Sequence, residues 1–283
     1  MRIHHLNCGT LRPLGGKLLA GDRFPALPSR LVCHCLLIET DGRLVLVDSG
    51  FGTTDIERTR LRSLVAGGPG QFVRTAYADV VLRAALDLEE TALRQVEALG
   101  HTPADVTDVV VTHLDLDHAG GLADFPHARV HLSATERAAA TAPRTQIERF
   151  RYWGYQWEHG PDWKTYSPDA GDAWFGFEAS ELDGLPGFAL VALPGHTRGH
   201  CGVAVQNGGG WLLHAGDAYF LYQEVDPVNP RSTPAAAGFQ KRFEMDGSAR
   251  RESRQRLRDL KRDHGDELEM LCTHDPADLD RYG

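Results

Sequence analysis

The chain's 283 residues are many for one domain yet within reach of a large layered α/β domain, and the 42% that are apolar suffice for a substantial core. A formal charge of −9 excludes a broad nucleic-acid footprint, because phosphate binding draws on clustered Lys and Arg. Met1-Arg2-Ile3-His4-His5 has no apolar stretch of signal-peptide type, and no apolar run approaches the about 20 residues that cross a bilayer. A cytoplasmic protein with a small-molecule substrate and no membrane or nucleic-acid partner is expected.

Five scattered cysteines, Cys8, Cys33, Cys35, Cys201 and Cys272, form no disulfide framework. Cys33-His34-Cys35 has the look of a metal motif but lies inside Leu31 to Ile38, where a strand puts both thiols on one face and His34 on the other. Two buried small hydrophobes are the favoured reading. Leu31 to Ile38 should pair antiparallel with Arg43 to Asp48 across a turn at Asp41-Gly42. Residues about 51 to 79 are Gly-rich and carry no assignable pattern. A helix is expected over Glu89 to Leu99, with Leu93, Val96 and Leu99 on one face and Gly100 ending it. Asp108 to Thr112 reads as a short buried strand running into His113. Ser133 is placed to cap a helix over Ala134 to Ala140, with Glu136 at the capping-box position.

Residues 143 to about 187 hold four of the five tryptophans and little periodicity, and read as an aromatic-rich insertion in a single domain spanning 1–283. Strands resume at Phe188 to Leu193, Cys201 to Gln206 and Trp211 to His214, the last two joined by a turn at 207–210. A polar helix over Ser248 to Asp263 carries Arg250, Arg251, Arg254, Arg256, Arg258, Lys261 and Arg262 alternating with acids, which reads as a solvated face. A last strand, Leu268 to Cys272, delivers Thr273-His274-Asp275. Two runs of strands with helices between and after them suggest two sheets faced by outer helices.

The segment richest in chemistry is Thr112-His113-Leu114-Asp115-Leu116-Asp117-His118-Ala119-Gly120-Gly121. Four metal-competent side chains fall within six positions after a buried strand, and the glycines permit a sharp turn close to the site. A solvated loop or a helix N-terminus would bear the same residues. Three further segments follow strands in the same way: Pro194-Gly195-His196-Thr197-Arg198-Gly199-His200, His214-Ala215-Gly216-Asp217 and Cys272-Thr273-His274-Asp275.

This series resembles the metallo-β-lactamase superfamily, whose signature is H-x-H-x-D-H after a strand, a distant His in a G-H-T-x-G-H turn, an Asp in a G-D turn and a late His. The correspondence runs over roughly residues 31 to 274, and Val47-Asp48-Ser49-Gly50 corresponds to the superfamily's early supporting Asp. The resemblance implies a four-layer αββα sandwich and two divalent ions (Zn, Mn or Fe). It implies that His113, Asp115 and His196 hold the first ion and that Asp117, His118 and His274 hold the second, with Asp217 between them. A hydroxide bridging ions about 3.5–4 Å apart would then attack the scissile bond, with Asp117 and Asp217 as the catalytic carboxylates. Asp48 would orient a ligand by a hydrogen bond, and His200 would support the site from behind. His214 is expected at the end of a buried strand.

Asp115 departs from the pattern, standing where the signature has its second His. Three carboxylates and one hydroxide then neutralise two divalent ions, which should weaken the pull on anions and favour Mn or Fe over Zn at the first position. The aromatic residues of 150–177 read equally as a substrate wall, a homodimer contact or a local core, and Trp153 and Trp157 are named for the wall with Tyr219, Phe220 and Tyr222. Acyl-homoserine-lactone lactonases, which share the arrangement, place a Tyr three positions after the bridging Asp. Here that position is Phe220. The expected function is metal-dependent hydrolysis of an ester, lactone or related bond of a small molecule. Iron-dependent redox or sulfur-transfer chemistry on the same fold, and a non-catalytic metal-binding sensor, are the alternatives.

Overall fold

Apolar runs bounded by turns build two six-stranded sheets in the computed structural model, which describes residues 1–13, 30–62, 83–168 and 173–282. The first sheet is β1 (Arg2–Leu11), β2 (Leu31–Thr40), β3 (Arg43–Val47), β4 (Val106–Val110), β5 (Arg129–Ser133) and β6 (Asp162–Tyr166), in that spatial order. Its first three strands pair antiparallel and the rest parallel. The second comprises β7 (Ala173–Trp174), β8 (Phe177–Leu182), β9 (Leu185–Ala192), β10 (Cys201–Asn207), β11 (Gly210–His214) and β12 (Leu268–Leu271), antiparallel except for the β11–β12 pair. The expected β2–β3 hairpin is present. Asp41 and Gly42 both have positive φ, 45° and 74°, the turn geometry that matches strand twist.

Period-two alternation decides what packs where. Leu36, Ile38, Val45 and Val47 meet Phe188, Leu190, Val203 and Leu212 between the sheets. Their neighbours Cys35, Leu37, Leu44 and Leu46 face outward into a cluster with Ala92, Val96 and Ala139, from helices covering the first sheet. On the far side, Val191, Ala204 and Leu213 pack against Leu257 and Leu260 of a helix. The result is four layers, αββα, and strands buried on both faces read as continuous apolar runs for that reason. Among the described residues no helix is long and apolar enough to cross a membrane.

The helices are α1 (Thr53–Arg62), α2 (Ala92–Ala98), α3 (Ala134–Thr141), α4 (Gln146–Arg151), α5 (Pro234–Phe243), α6 (Gly247–His264) and α7 (Pro276–Asp280). Several depart from the sequence expectations. The Gly-rich stretch begins with α1, and from residue 63 it lies outside the described residues. The helix expected over Glu89 to Leu99 is broken: Leu88–Glu90 is a 3-10 turn, and Thr91 caps α2 by accepting from Arg94 N–H. Leu99 is 39% exposed, so Ala92 and Val96 form the buried face instead. Residues 143–187 supply α4, β6, β7 and β8, and so contribute to both sheets. A capping box that sequence reading overlooked, Thr145 with Glu148, starts α4. On α6, Arg250 is buried beside Glu244 and Arg254 pairs with Glu224, so part of the basic series faces inward rather than into solvent.

Candidate metal centre

The ends of β3, β4, β9, β11 and β12 deliver Asp48, His113, His196, Asp217 and His274 respectively. Pairing directions put β3 and β4 in parallel, and β9, β11 and β12 likewise, so each sheet presents its strand C-termini at one edge. Backbone bonds fasten the two edges together: Cys201 N–H donates to Thr112 C=O (3.0 Å) and His34 N–H to Thr273 C=O (2.9 Å).

Asp48 organises the loop after β4. It accepts from Thr112 N–H, Thr112 Oγ1–H and His118 Nδ1–H, each at 2.8 Å. Its own φ is +52°, a conformation costing on the order of 1 kcal/mol or more that these bonds hold in place. Thr112 has spent its one hydroxyl proton on Asp48, so His113 Nδ1 must donate to Thr112 Oγ1 (3.0 Å). His274 Nδ1 donates to Val32 C=O (2.9 Å). Three imidazoles are thus fixed with Nε2 facing the same interior.

Gly120 and Gly121 act differently from expectation. Neither has a positive φ. A Cβ on Gly120 would sit 2.6 Å from Gly50 C=O, and one on Gly121 2.6 Å from Ser49 C=O. They allow the first histidine loop to press against the Asp48 loop, and no left-handed turn is involved.

The converging atoms fall into two sets around Asp217. In the first, Asp115 Oδ2 lies 3.3 Å from His113 Nε2 and 3.0 Å from His196 Nε2. In the second, Asp217 Oδ1 lies 3.4 Å from His118 Nε2, and Oδ2 lies 3.2 Å from His274 Nε2 and 3.5 Å from His196 Nε2. Asp117 Oδ2 adds a contact of 3.7 Å to His274 Nε2. Donor atoms bound at about 2.0–2.2 Å around one cation show spacings of this order. His113 Nε2, His118 Nε2, Asp115 Oδ1 and Asp217 Oδ1 are buried without hydrogen-bond partners, which is unusual for polar atoms unless an ion completes them. The donor set therefore fits metal. All seven residues expected as ligands meet here.

His200 does not offer a ligand atom. Its Nδ1 donates to Leu193 C=O and its Nε2 accepts from Asp217 N–H, both at 2.9 Å, so it positions the Asp217 turn. His214 is also spent, on His34 C=O (2.7 Å) and Gly216 N–H (3.3 Å). Cys33 is more than core: its thiol lies with Asp117 and His274 in a group whose ligand atoms are within 4.8 Å of one another. Burial, then Asp117, pushes that thiol's pKa well up.

Two residues escaped sequence reading. Glu136 is fully buried and makes no cap, since Ser133 has no side-chain capping bond. Its carboxylate accepts from Leu114 N–H (3.1 Å), Tyr152 O–H (3.1 Å), Thr197 Oγ1–H (2.6 Å) and Gly199 N–H (3.2 Å), tying the two histidine loops together from beneath. Arg151, at the end of α4, has a side chain only 5% exposed and donates through Nη1 to Asp115 Oδ2 and to His196 Nε2 (2.9 Å). Burial opposes ionisation of Asp115, but Arg151 and then His113 hold its carboxyl well below the usual range. The only signal for Arg151 in the sequence was Asp115 itself, a buried charge that requires a partner.

An apolar pocket opens onto these atoms, walled by Phe150, Phe220, Phe239 and Phe243. Of the residues named for the wall, only Phe220 lines it, its ring 4.9 Å from that of His274. Trp153 is in a core cluster with Leu11, Cys33 and Phe51, and Trp157 packs against the core over the first sheet. Tyr219 is buried under the second sheet, and Tyr222 is 43% exposed. Neither tyrosine lines the pocket, so neither stands where Phe220 lacks a hydroxyl.

Burial works against a charge on His118, yet Asp217 and Asp48 outweigh it and hold the imidazole pKa well above its ordinary value. An incoming cation must displace that proton. Metal affinity should therefore rise with pH, and binding at about pH 6 should be weaker and release more protons than at about pH 8. Competition titrations in two buffers of different ionisation heat check this; pH-independent affinity would refute it.

A family model described as the metallo-beta-lactamase superfamily matches residues 28–268. The chain is 41% identical over 278 residues to "Probable metallo-hydrolase Rv2300c" of Mycobacterium tuberculosis, covering 98% of this chain and 81% of that protein. It is 32% identical over 139 residues to the N-acyl homoserine lactonase AttM of Azorhizobium caulinodans, across 47% of this chain and 49% of the relative. In fold it resembles the Bacillus thuringiensis AiiA structure with N-decanoyl-L-homoserine at its active site, with a TM-score of 0.70 at 19% identity over 99% and 95% of the two chains.

Proposed function

The chain belongs to the metallo-beta-lactamase superfamily, and we propose that this metal-dependent hydrolase cleaves an ester, lactone or related bond in a small molecule with an apolar arm. The observation carrying this is the pocket: four phenylalanines lead to a buried set of inward-facing imidazoles and carboxylates. His118, Asp217, His274 and Asp117 would hold an ion, with His113, Asp115 and His196 as a second set. A divalent ion there supplies Lewis acidity toward a carbonyl oxygen and toward water.

The chain's own residues do the rest. Asp48, Thr112 and Val32 C=O fix three histidine tautomers, so the donors are set before anything binds. Phe220 and its neighbours exclude water and would seat an acyl chain or ring. Phe220 offers no proton, and Arg151 is the cationic side chain among the pocket's lining residues. Relatives named as N-acyl homoserine lactonases support the lactone class.

A panel of acyl lactones and aryl esters of increasing chain length tests the reading. The kcat/KM should climb with chain length, and Phe239→Ser should flatten that dependence, each buried methylene being worth about 0.8 kcal/mol. Preference for short, charged substrates, or no turnover anywhere in the panel, would overturn it.

A further inference from the structure

Resting on the metal-dependent reading above, we propose that the Arg151 guanidinium occupies the first cation position and that the chain carries one metal ion, in the His118–Asp217–His274 set. An ion in the first set would need the His196 Nε2 lone pair, and the Asp115 oxygen that faces His113 and His196 is Oδ2. Arg151 Nη1 already lies against both atoms, the first at 2.9 Å. Nε2 either accepts from Arg151 or, as an N–H, donates to Asp115 Oδ2 (3.0 Å), and in neither state is its lone pair free for a cation.

The second set has no such competitor. His118 Nε2 and Asp217 Oδ1 are buried and unpartnered. His113 lies between the two sets, grouping with His118 and Asp217 as well as with Asp115 and His196.

Charge and anchoring agree with this placement. One divalent ion and one guanidinium carry three positive charges against Asp115, Asp117 and Asp217. Two ions and a bridging hydroxide with the guanidinium would leave one positive charge in excess. Arg151 is also held from its other side, where Nη2 donates to Phe243 C=O at the end of α5. It is the one Lys or Arg lining the pocket among the described residues. Asp115 and Arg151 thus form a carboxylate–guanidinium pair where the superfamily pattern has a histidine and its ion.

The test uses the full chain, reconstituted with excess Mn(II) or Zn(II) and freed of loose metal. Elemental analysis should give one ion per chain, and the Mn(II) form should show the six-line EPR spectrum of an isolated ion. Arg151→Met should take up a second ion and show the broadened spectrum of a coupled pair. Two ions or a coupled spectrum in the parent would overturn the proposal without any variant being needed. So would a single ion in a folded Arg151→Met protein. No bound ion at all in the parent would instead overturn the metal-dependent reading on which the proposal rests.

Discussion

Asp217→Ala is expected to lower kcat/KM by on the order of 10³-fold, because the Lewis acidity it helps to place is worth several kcal/mol of barrier. Its two oxygens face different histidines, His118 on one side and His196 and His274 on the other. Asp117 also faces His118 and His274, but from farther away, at 4.0 and 3.7 Å. His200→Ala should cost less, about 10–100-fold, since His200 touches only the backbone N–H of Asp217 and Leu193 C=O. Steady-state kinetics on both variants, with circular dichroism to confirm folding, give the ranking. A folded His200→Ala protein more damaged than Asp217→Ala would show that His200 itself supplies a ligand.

Glu136→Ala should be the most destabilising change around the site. It would leave Leu114 N–H and Gly199 N–H without their acceptor, along with the hydroxyls of Thr197 and Tyr152, all in a fully buried place. Each stranded buried donor costs about 1–3 kcal/mol, so a loss of at least ~3 kcal/mol is expected. For a chain of this size that corresponds to a fall in Tm of roughly 6–12 °C. Glu136→Gln, which keeps one carbonyl acceptor, should lose less. Urea or thermal melts of both variants decide; an unchanged midpoint for Glu136→Ala would mean that the two histidine loops do not depend on it.

The histidine loops were legible in the sequence because their chemistry is local. His113, Asp117, His118, His196, Asp217 and His274 each follow a strand, and strand ends of a layered α/β fold meet at one edge. Asp48 was legible for the same reason. Glu136 was not, since Ser133-x-x-Glu136 satisfies a local capping pattern while the carboxylate makes its bonds to residues 114, 152, 197 and 199. Arg151 failed in a similar way: a basic residue ending a short helix reads as solvated, and only the distance to Asp115, 36 positions away, reveals a buried pair. The aromatic residues of 150–177 divide between wall and core, Phe150 lining the pocket, because composition does not encode direction. Trp153 and Trp157 turned into cores, and the pocket wall took Phe239 and Phe243 from α5.

Chelation followed by reconstitution tests the central claim most directly. The best substrate of the lactone and ester panel would be assayed with parent protein stripped of metal, then with Zn, Mn or Fe returned stepwise while bound ions are counted. Hydrolysis should vanish with the ion and return in proportion to ions bound at the His118–Asp217–His274 set. A folded, stripped protein that hydrolyses the substrate as fast as before would contradict it.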